Sequence, residues 1–253
     1  MIQDLHSHTY YSFCGKDAPE AIVEAAIDGG IELFGITDHN HGIGFQRLEF
    51  FYMDSGLFKG QDYGRCLRRY FDHMSLIKEK YADRITVLRG IELCTLNRNN
   101  HYLPENCDIS FYDYCLIEHV DSAESITGGD LFGYAKKLGC PAGVAHTDLF
   151  GHAEKLGIAP LDYFSRMAEE NIFWEMNVSY DSIHGYYEHP YMLDFFADPE
   201  KQETVRRSGV RLSVGFDGHR VEDYLPGRIK DYCGKITAMG IPLAFEKTSS
   251  KDR

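Results

Sequence analysis

The strongest constraint on this chain is a repeating order: a short apolar run, a polar loop, then a helical pattern. Residues 2–5 read as a strand and are followed by APEAIVEAAIDGG, in which Pro19 suits a helix start and Gly29 and Gly30 a stop. Residues 31–37 read as the second strand and residues 85–93 as the third. Residues 114–117, 141–145, 172–177 and 210–214 complete a set of seven. Helical patterns near residues 130–138, 161–170 and 199–208 separate the later strands, and residues 45–82 read as a helical insertion. Such alternation builds βαβ units with parallel strands. The expected fold class is therefore α/β, a β/α barrel of parallel strands with outer helices, forming one domain over residues 1–253. A doubly wound open sheet is the structural alternative. No GxGxxG follows the first strand, so that alternative brings no dinucleotide site with it.

Composition narrows the partners. No run reaches the about 18 apolar residues of a membrane span. The opening MIQDLHSHT has neither a basic nor an apolar leader pattern. Seven cysteines, odd in number and without a CxxC pair, favour reduced thiols and a cytoplasmic location. The formal net charge of −13 would repel a long nucleic acid, and the short basic clusters at Arg65–Arg69 and Arg206–Arg207 do not reverse it. Neither a long nucleic acid nor a membrane is therefore an expected partner; the sequence leaves the oligomeric state open.

The histidines and acids fall at strand ends. His6 and His8 follow the first strand, Asp38 and His39 the second, and Glu92 ends the third. His119 lies just past the fourth, His146 closes the fifth, and Asp217 and His219 follow the last. In a parallel barrel these ends share one face, where active sites are built. Imidazole nitrogens and carboxylate oxygens suit zinc, manganese and iron, and a carboxylate can bridge two ions. On an extended segment the two histidines of an HxH pair project to one side and can reach a single ion. His41, His73, His101, His152, His184 and His189 lack this placement, although His41 and His184 are candidates to line a pocket.

With these residues in place, the sequence resembles the polymerase-and-histidinol-phosphatase (PHP) family. DLHSHTYYS, GITDHN, GIEL, a histidine after the fourth strand, VAHTDL and GFDGH occur in that family's order, from Asp4 to about Asp223. The resemblance implies a distorted (β/α)7 barrel. It implies a first metal on His6, His8, Glu92 and Asp217, and a second on His119 and His146 with Glu92 as the bridge. A third would take His39, His219 and a ligand from the loop after the first strand. There the chain departs from the pattern: SFCGKD offers Cys14, Lys16 or Asp17, and a protonated Lys16 would replace an ion's charge or hold a phosphate. CLIEHVDS also departs from the serine-valine-histidine of the histidinol phosphatase subgroup.

The activity this implies is hydrolysis of a small phosphomonoester, histidinol-phosphate-like in scope, by a metal-activated hydroxide with two or three divalent ions. Glu92, Asp217, His39 and His219 are the expected catalytic set, with His39 or His219 protonating the leaving oxygen where no third ion sits. Asp38 and Asp148 are expected behind the ligating histidines. Asn177, His184 and Arg220 are candidates for substrate contact, as are Arg65, Arg68 and Arg69. A phosphodiesterase or exonuclease acting on nucleotides or short oligonucleotides is the alternative. A purely metal-binding domain is a third reading, disfavoured because a scaffold has no need of a bridging carboxylate.

Overall fold

In a computed structural model, residues 1–43, 63–97, 101–105 and 107–246 are described. Their strands are all parallel: β1 (Gln3–Asp4), β2 (Leu33–Ile36) and β3 (Thr86–Arg89) form one sheet. β4 (Glu92–Cys94), β5 (Cys115–Glu118), β6 (Ala142–Val144), β7 (Ile172–Asn177) and β8 (Leu212–Gly215) form the other, in chain order. Two seams join them. At one, Leu5 N donates to Val214 O (2.9 Å) and Ser7 bridges Gly218. At the other, Asn40 N donates to Glu92 O (2.8 Å), Glu92 N donates to Asp38 O (3.1 Å), and His39 bridges Glu92.

The ring therefore has seven staves, because β3 and β4 are two halves of one. The run over residues 85–93 that reads as a single strand breaks at Gly90, whose N–H still donates to Ile36 O (2.8 Å). A Cβ on Gly90 would lie 2.6 Å from Thr37 Cγ2 and 2.8 Å from the Tyr114 ring. Only a residue without a side chain lets the bent stave close against β2. The arrangement is a distorted (β/α)7 barrel.

Helices pack outside the ring. These are α1 (Pro19–Asp28), α2 (Tyr63–Lys80), α3 (Leu131–Leu138), α4 (Leu149–Lys155), α5 (Pro160–Glu169), α6 (Pro190–Ala197), α7 (Pro199–Ser208) and α8 (Pro226–Ala238). Proline at the first turn starts α1, α5, α6, α7 and α8, where its missing N–H costs nothing. α2 buries Leu67, Tyr70, Phe71, Met74 and Ile77, one face at helical spacing. The first arm of the proposed insertion, residues 45–62, lies outside the described residues. The main core runs between strands and helices, with Trp174, Phe164 and Tyr163 fully enclosed. A smaller cluster of Leu5, Leu33, Tyr114, Leu116, Ala145 and Phe173, with Ala244, fills the barrel below the site. Among the described residues no helix is long and apolar enough to cross a membrane.

Gly90→Ala should thus destabilise the fold by about 1–3 kcal/mol, the usual penalty for overpacking. Urea unfolding checks this, and an unshifted midpoint would show that the stave does not depend on the close approach.

Candidate metal centre

Glu92 opens β4 at the bend and is fully buried. Its two oxygens face different histidines. Oε1 lies 3.2 Å from His6 Nε2 and 3.1 Å from His146 Nε2. Oε2 lies 3.4 Å from His8 Nε2 and 2.9 Å from His39 Nδ1. Asp217 Oδ1 joins from the far seam, 3.0 Å from His8 Nε2 and 3.4 Å from His6 Nε2, and the two Nε2 atoms are 3.2 Å apart. His6, His8, Glu92 and Asp217 thus present four donors to one space.

Surrounding groups fix these side chains. Glu175, in the middle of the apolar β7, accepts from His6 Nδ1 (2.7 Å) and from His146 N (2.9 Å), so His6 turns Nε2 toward the cluster. Ser12 Oγ meets His8 Nδ1 at 3.2 Å and accepts from His39 N at 2.9 Å, while donating to Asp38 (2.7 Å). Asp38 also accepts from Thr9 N (2.7 Å) and Thr9 Oγ1 (2.8 Å). Its task is to hold the loop after β1, rather than a histidine directly. Asp148 caps α4, its carboxylate accepting from Gly151 N rather than from a ligating histidine.

The third group of donors gathers on the first loop. His39 and His219 each stack on His8 with ring centroids 4.5 Å away. Donor atoms of His8, Cys14 and His39 lie within 4.8 Å of one another, as do those of His8, Asp217 and His219. Burial opposes a Cys14 thiolate, but charge on His39 and hydrogen bonds to His219 and His39 outweigh it and lower the thiol's pKa. Lys16 points elsewhere, pairing with the exposed Glu222 at 3.0 Å, and Asp17 accepts from Val221 N at 2.8 Å. Of the three candidates in SFCGKD, Cys14 alone faces the histidines.

His119 stands apart from Glu92. Its Nε2 lies 2.9 Å from Glu118 Oε2, and Glu118, 5% exposed, sits between it and the rest. His119, His146 and Asp217 all have positive φ, at 61°, 23° and 56°. Non-glycine residues seldom hold such angles, and their clustering at candidate ligands marks the strand ends as strained for function.

The remaining candidates divide. Asn177 Nδ2 donates to Asp217 Oδ2 (3.2 Å), which makes it a support for that carboxylate. His184 reaches the same oxygen at 3.0 Å through Nε2, with Asp181 on Nδ1 at 2.7 Å. Arg220 lies 3.9 Å from Glu222, on the Lys16 side. Arg68 packs over the Phe111 ring at 3.5 Å, away from the cluster. His41 stacks on His101 with centroids 4.5 Å apart. Glu118, Glu175, Ser12 and Asp181 escaped the sequence reading. For Glu118 and Glu175 the available signal was an acid inside an otherwise apolar strand, in CLIE and IFWEMN.

Electrostatics explain why such a cluster needs a cation. Burial disfavours charge on His6, yet Asp217, Glu175 and Glu92 hold its pKa well above the ordinary value. Burial opposes the His146 cation too, but the Glu92 hydrogen bond and charge raise its pKa to about 9. Burial and the neighbouring His219 and His39 press His8 down to about 3. His39 Nδ1, Glu92 Oε2 and His219 Nδ1 are buried without an aligned hydrogen bond. Donors on a tetrahedral ion at about 2.0–2.1 Å stand roughly 3.3–3.4 Å apart. The 3.0–3.4 Å separations among His6, His8, Glu92 and Asp217 fit that requirement.

Comparison with known proteins gives the family and the fold. A family model described as the PHP domain matches residues 4–220. Histidinol phosphate phosphatase from Lactococcus lactis subsp. lactis Il1403, solved with zinc, L-histidinol and phosphate, superposes with a TM-score of 0.56 at 14% identity, over 95% of each chain. A Listeria monocytogenes protein proposed to be a histidinol phosphatase gives a TM-score of 0.42 at 16% identity, over 96% of this chain and 93% of its own. No curated protein sequence matches the chain.

Two outcomes are expected. Because His146 keeps a proton up to about pH 9 in the metal-free protein, ion capture must expel it, so affinity should climb as pH rises from about 6.5 to 9. Calorimetry in buffers of different ionisation heat reads the released proton; a pH-independent affinity would contradict the assignment. Glu175→Gln should weaken metal binding by about 10–100-fold while the circular dichroism spectrum is kept. Unchanged affinity would remove Glu175 from the support of His6.

Proposed function

Since this chain belongs to the PHP domain family, we propose that it is a metal-dependent phosphoesterase that hydrolyses a small phosphomonoester. The observation that carries this reading is the geometry of Glu92. One buried carboxylate touches histidines of both expected groups: His6 and His8 from the first lie 3.2 Å and 3.4 Å from its oxygens, and His146 from the second lies 3.1 Å away, with His39 at 2.9 Å. A carboxylate so placed suits a bridge between two ions. Divalent ions bound there would supply a nucleophilic hydroxide at neutral pH and neutralise phosphoryl oxygens. Zinc, manganese and iron all suit the donors.

The chain's own residues do the rest. His6 is aimed by Glu175, and His8 is kept neutral by its surroundings, hence able to lend a lone pair. Asp217 has one oxygen satisfied by His184 and Asn177, which leaves Oδ1 facing His6 and His8. Burial opposes the His184 cation, but Asp181 and Asp217 raise its pKa to about 10. The proton it carries at neutral pH offsets part of the acid charge that an anionic substrate would meet. His39 and His219, beside Cys14, are placed for a third ion or for giving a proton to the leaving oxygen. The L. lactis neighbour was solved with L-histidinol and phosphate, the two products of one such monoester. A compact amino-alcohol phosphate is therefore the first substrate to try.

Turnover of histidinol phosphate, sugar phosphates, mononucleotides and bis-p-nitrophenyl phosphate by metal-defined protein tests the proposal. Monoester hydrolysis is expected, falling to background in a folded Glu92→Gln variant. Diester cleavage with no monoester turnover would replace this reading with a phosphodiesterase. Full activity in Glu92→Gln would remove the bridge.

A further inference from the structure

We propose that Glu118 is itself a metal ligand, joining Glu92, His119 and His146 around the second ion. The inference rests on the two-metal reading above and adds a carboxylate to it. Glu118 ends β5 on the inward face it shares with Leu116, since strand side chains alternate. It is 5% exposed. Its Oε2 stands 2.9 Å from His119 Nε2 and 4.0 Å from His146 Nε2, and its Oε1 stands 3.7 Å from His39 Nδ1. His146 Nε2 is in turn 3.1 Å from Glu92 Oε1. Two donors on one ion can be no farther apart than twice the bond length, about 4.4 Å at most for oxygen. Each of these separations lies inside that limit.

An ordinary ion pair with His119 would explain one contact and leave two unexplained. Three imidazoles from three strand ends converge on this carboxylate. Apart from these imidazoles its side-chain partner is the Cys94 thiol, and among the described residues no backbone amide or hydroxyl donates to it, in contrast to Asp38, which Thr9 and Ser12 satisfy. Nearby, His39 Nδ1 faces Glu92 Oε2 at 2.9 Å, which brings the two carboxylates to one imidazole nitrogen.

The addition changes the chemistry of the pair of sites. With Glu118, each ion has two imidazoles and two carboxylates, one of them shared. Without it, the second site keeps two imidazoles and a bridge, a set that suits zinc. Extra carboxylate oxygen moves preference toward manganese or ferrous iron.

The test is metal binding rather than turnover. Metal-free wild type, Glu118→Gln, Glu118→Asp and Glu118→Ala are titrated with MnCl2 or ZnCl2. Bound equivalents are counted by elemental analysis, and manganese affinity by electron paramagnetic resonance. Wild type should bind at least two equivalents. Glu118→Gln should lose one, with a manganese affinity lower by more than the about 10–100-fold that outer-sphere substitutions cost, and should keep zinc better than manganese. Glu118→Asp should recover the equivalent. If Glu118→Gln does not fold, Glu118→Ala supplies the same reading. A fall of about a hundredfold or less, with both equivalents retained, would make Glu118 a mere orienting partner of His119 and overturn the ligation. Wild type binding no metal would instead bring down the two-metal reading beneath it.

Discussion

The Glu92 carboxylate, fully buried, is surrounded by the imidazoles of His6, His8, His39 and His146. Taking an ionised carboxylate out of water costs several kcal/mol even after relaxation. Protonating nearby imidazoles offsets part of this, and burial of the His6 and His39 cations is indeed outweighed by their acidic neighbours. The remedy is limited, because His8 sits against His39 and His219 and is pushed down to about 3. Not every imidazole in so tight a group can carry charge. Divalent ions resolve the conflict, since they neutralise the carboxylates while leaving every ligating histidine neutral.

That interaction dictates what the scaffold must do. The ligands come from segments as far apart as β1 and the exit of β8, so the ring must close for Asp217 to meet His6 and His8. Asp4 secures the seam: its carboxylate accepts from Phe216 N (2.9 Å) and Tyr224 OH (2.8 Å), tying the first motif to the last. Seven staves force one of them to bend, and the bend at Gly90 turns Glu92 inward at the level of His39. Left-handed backbone at His119, His146 and Asp217 falls at the strand ends that carry the candidate ligands.

Much of this was legible before any coordinates. Hydrophobic runs separated by helical patterns specify parallel staves, and histidines at their ends specify a shared mouth. Residues 172–177 and 199–208 even fall within the bounds of β7 and α7. What could not be read was contact across the ring. Residues 85–93 look like one strand because periodicity does not register a change of hydrogen-bonding partner at Gly90. Glu118 and Glu175 hide inside apolar strands, where a single acid does not alter the pattern. In SFCGKD, composition alone cannot tell that Lys16 turns to Glu222 while Cys14 turns inward. Nor does residue type show that Asp38 holds Thr9 and Ser12 of the first loop while Asp148 caps its own helix.

The segment after β7 shows how the centre and the mouth are coupled. Asp181 accepts from His184 N (2.9 Å) and from His184 Nδ1 (2.7 Å), which locks the histidine in place. The opposite nitrogen meets Asp217 Oδ2 at 3.0 Å. Any displacement of this segment therefore changes the charge felt by Asp217, one of the four donors of the first group. Arg228 anchors the segment's other flank by donating from Nε to Val178 O (3.0 Å) and from a guanidinium N–H to Glu188. A rim so fastened occupies Asp217 Oδ2 and leaves Oδ1 facing His6 and His8. On the function proposed above, that arrangement suits a small phosphorylated head held close to the candidate metal centre more than an extended surface contacting a long chain.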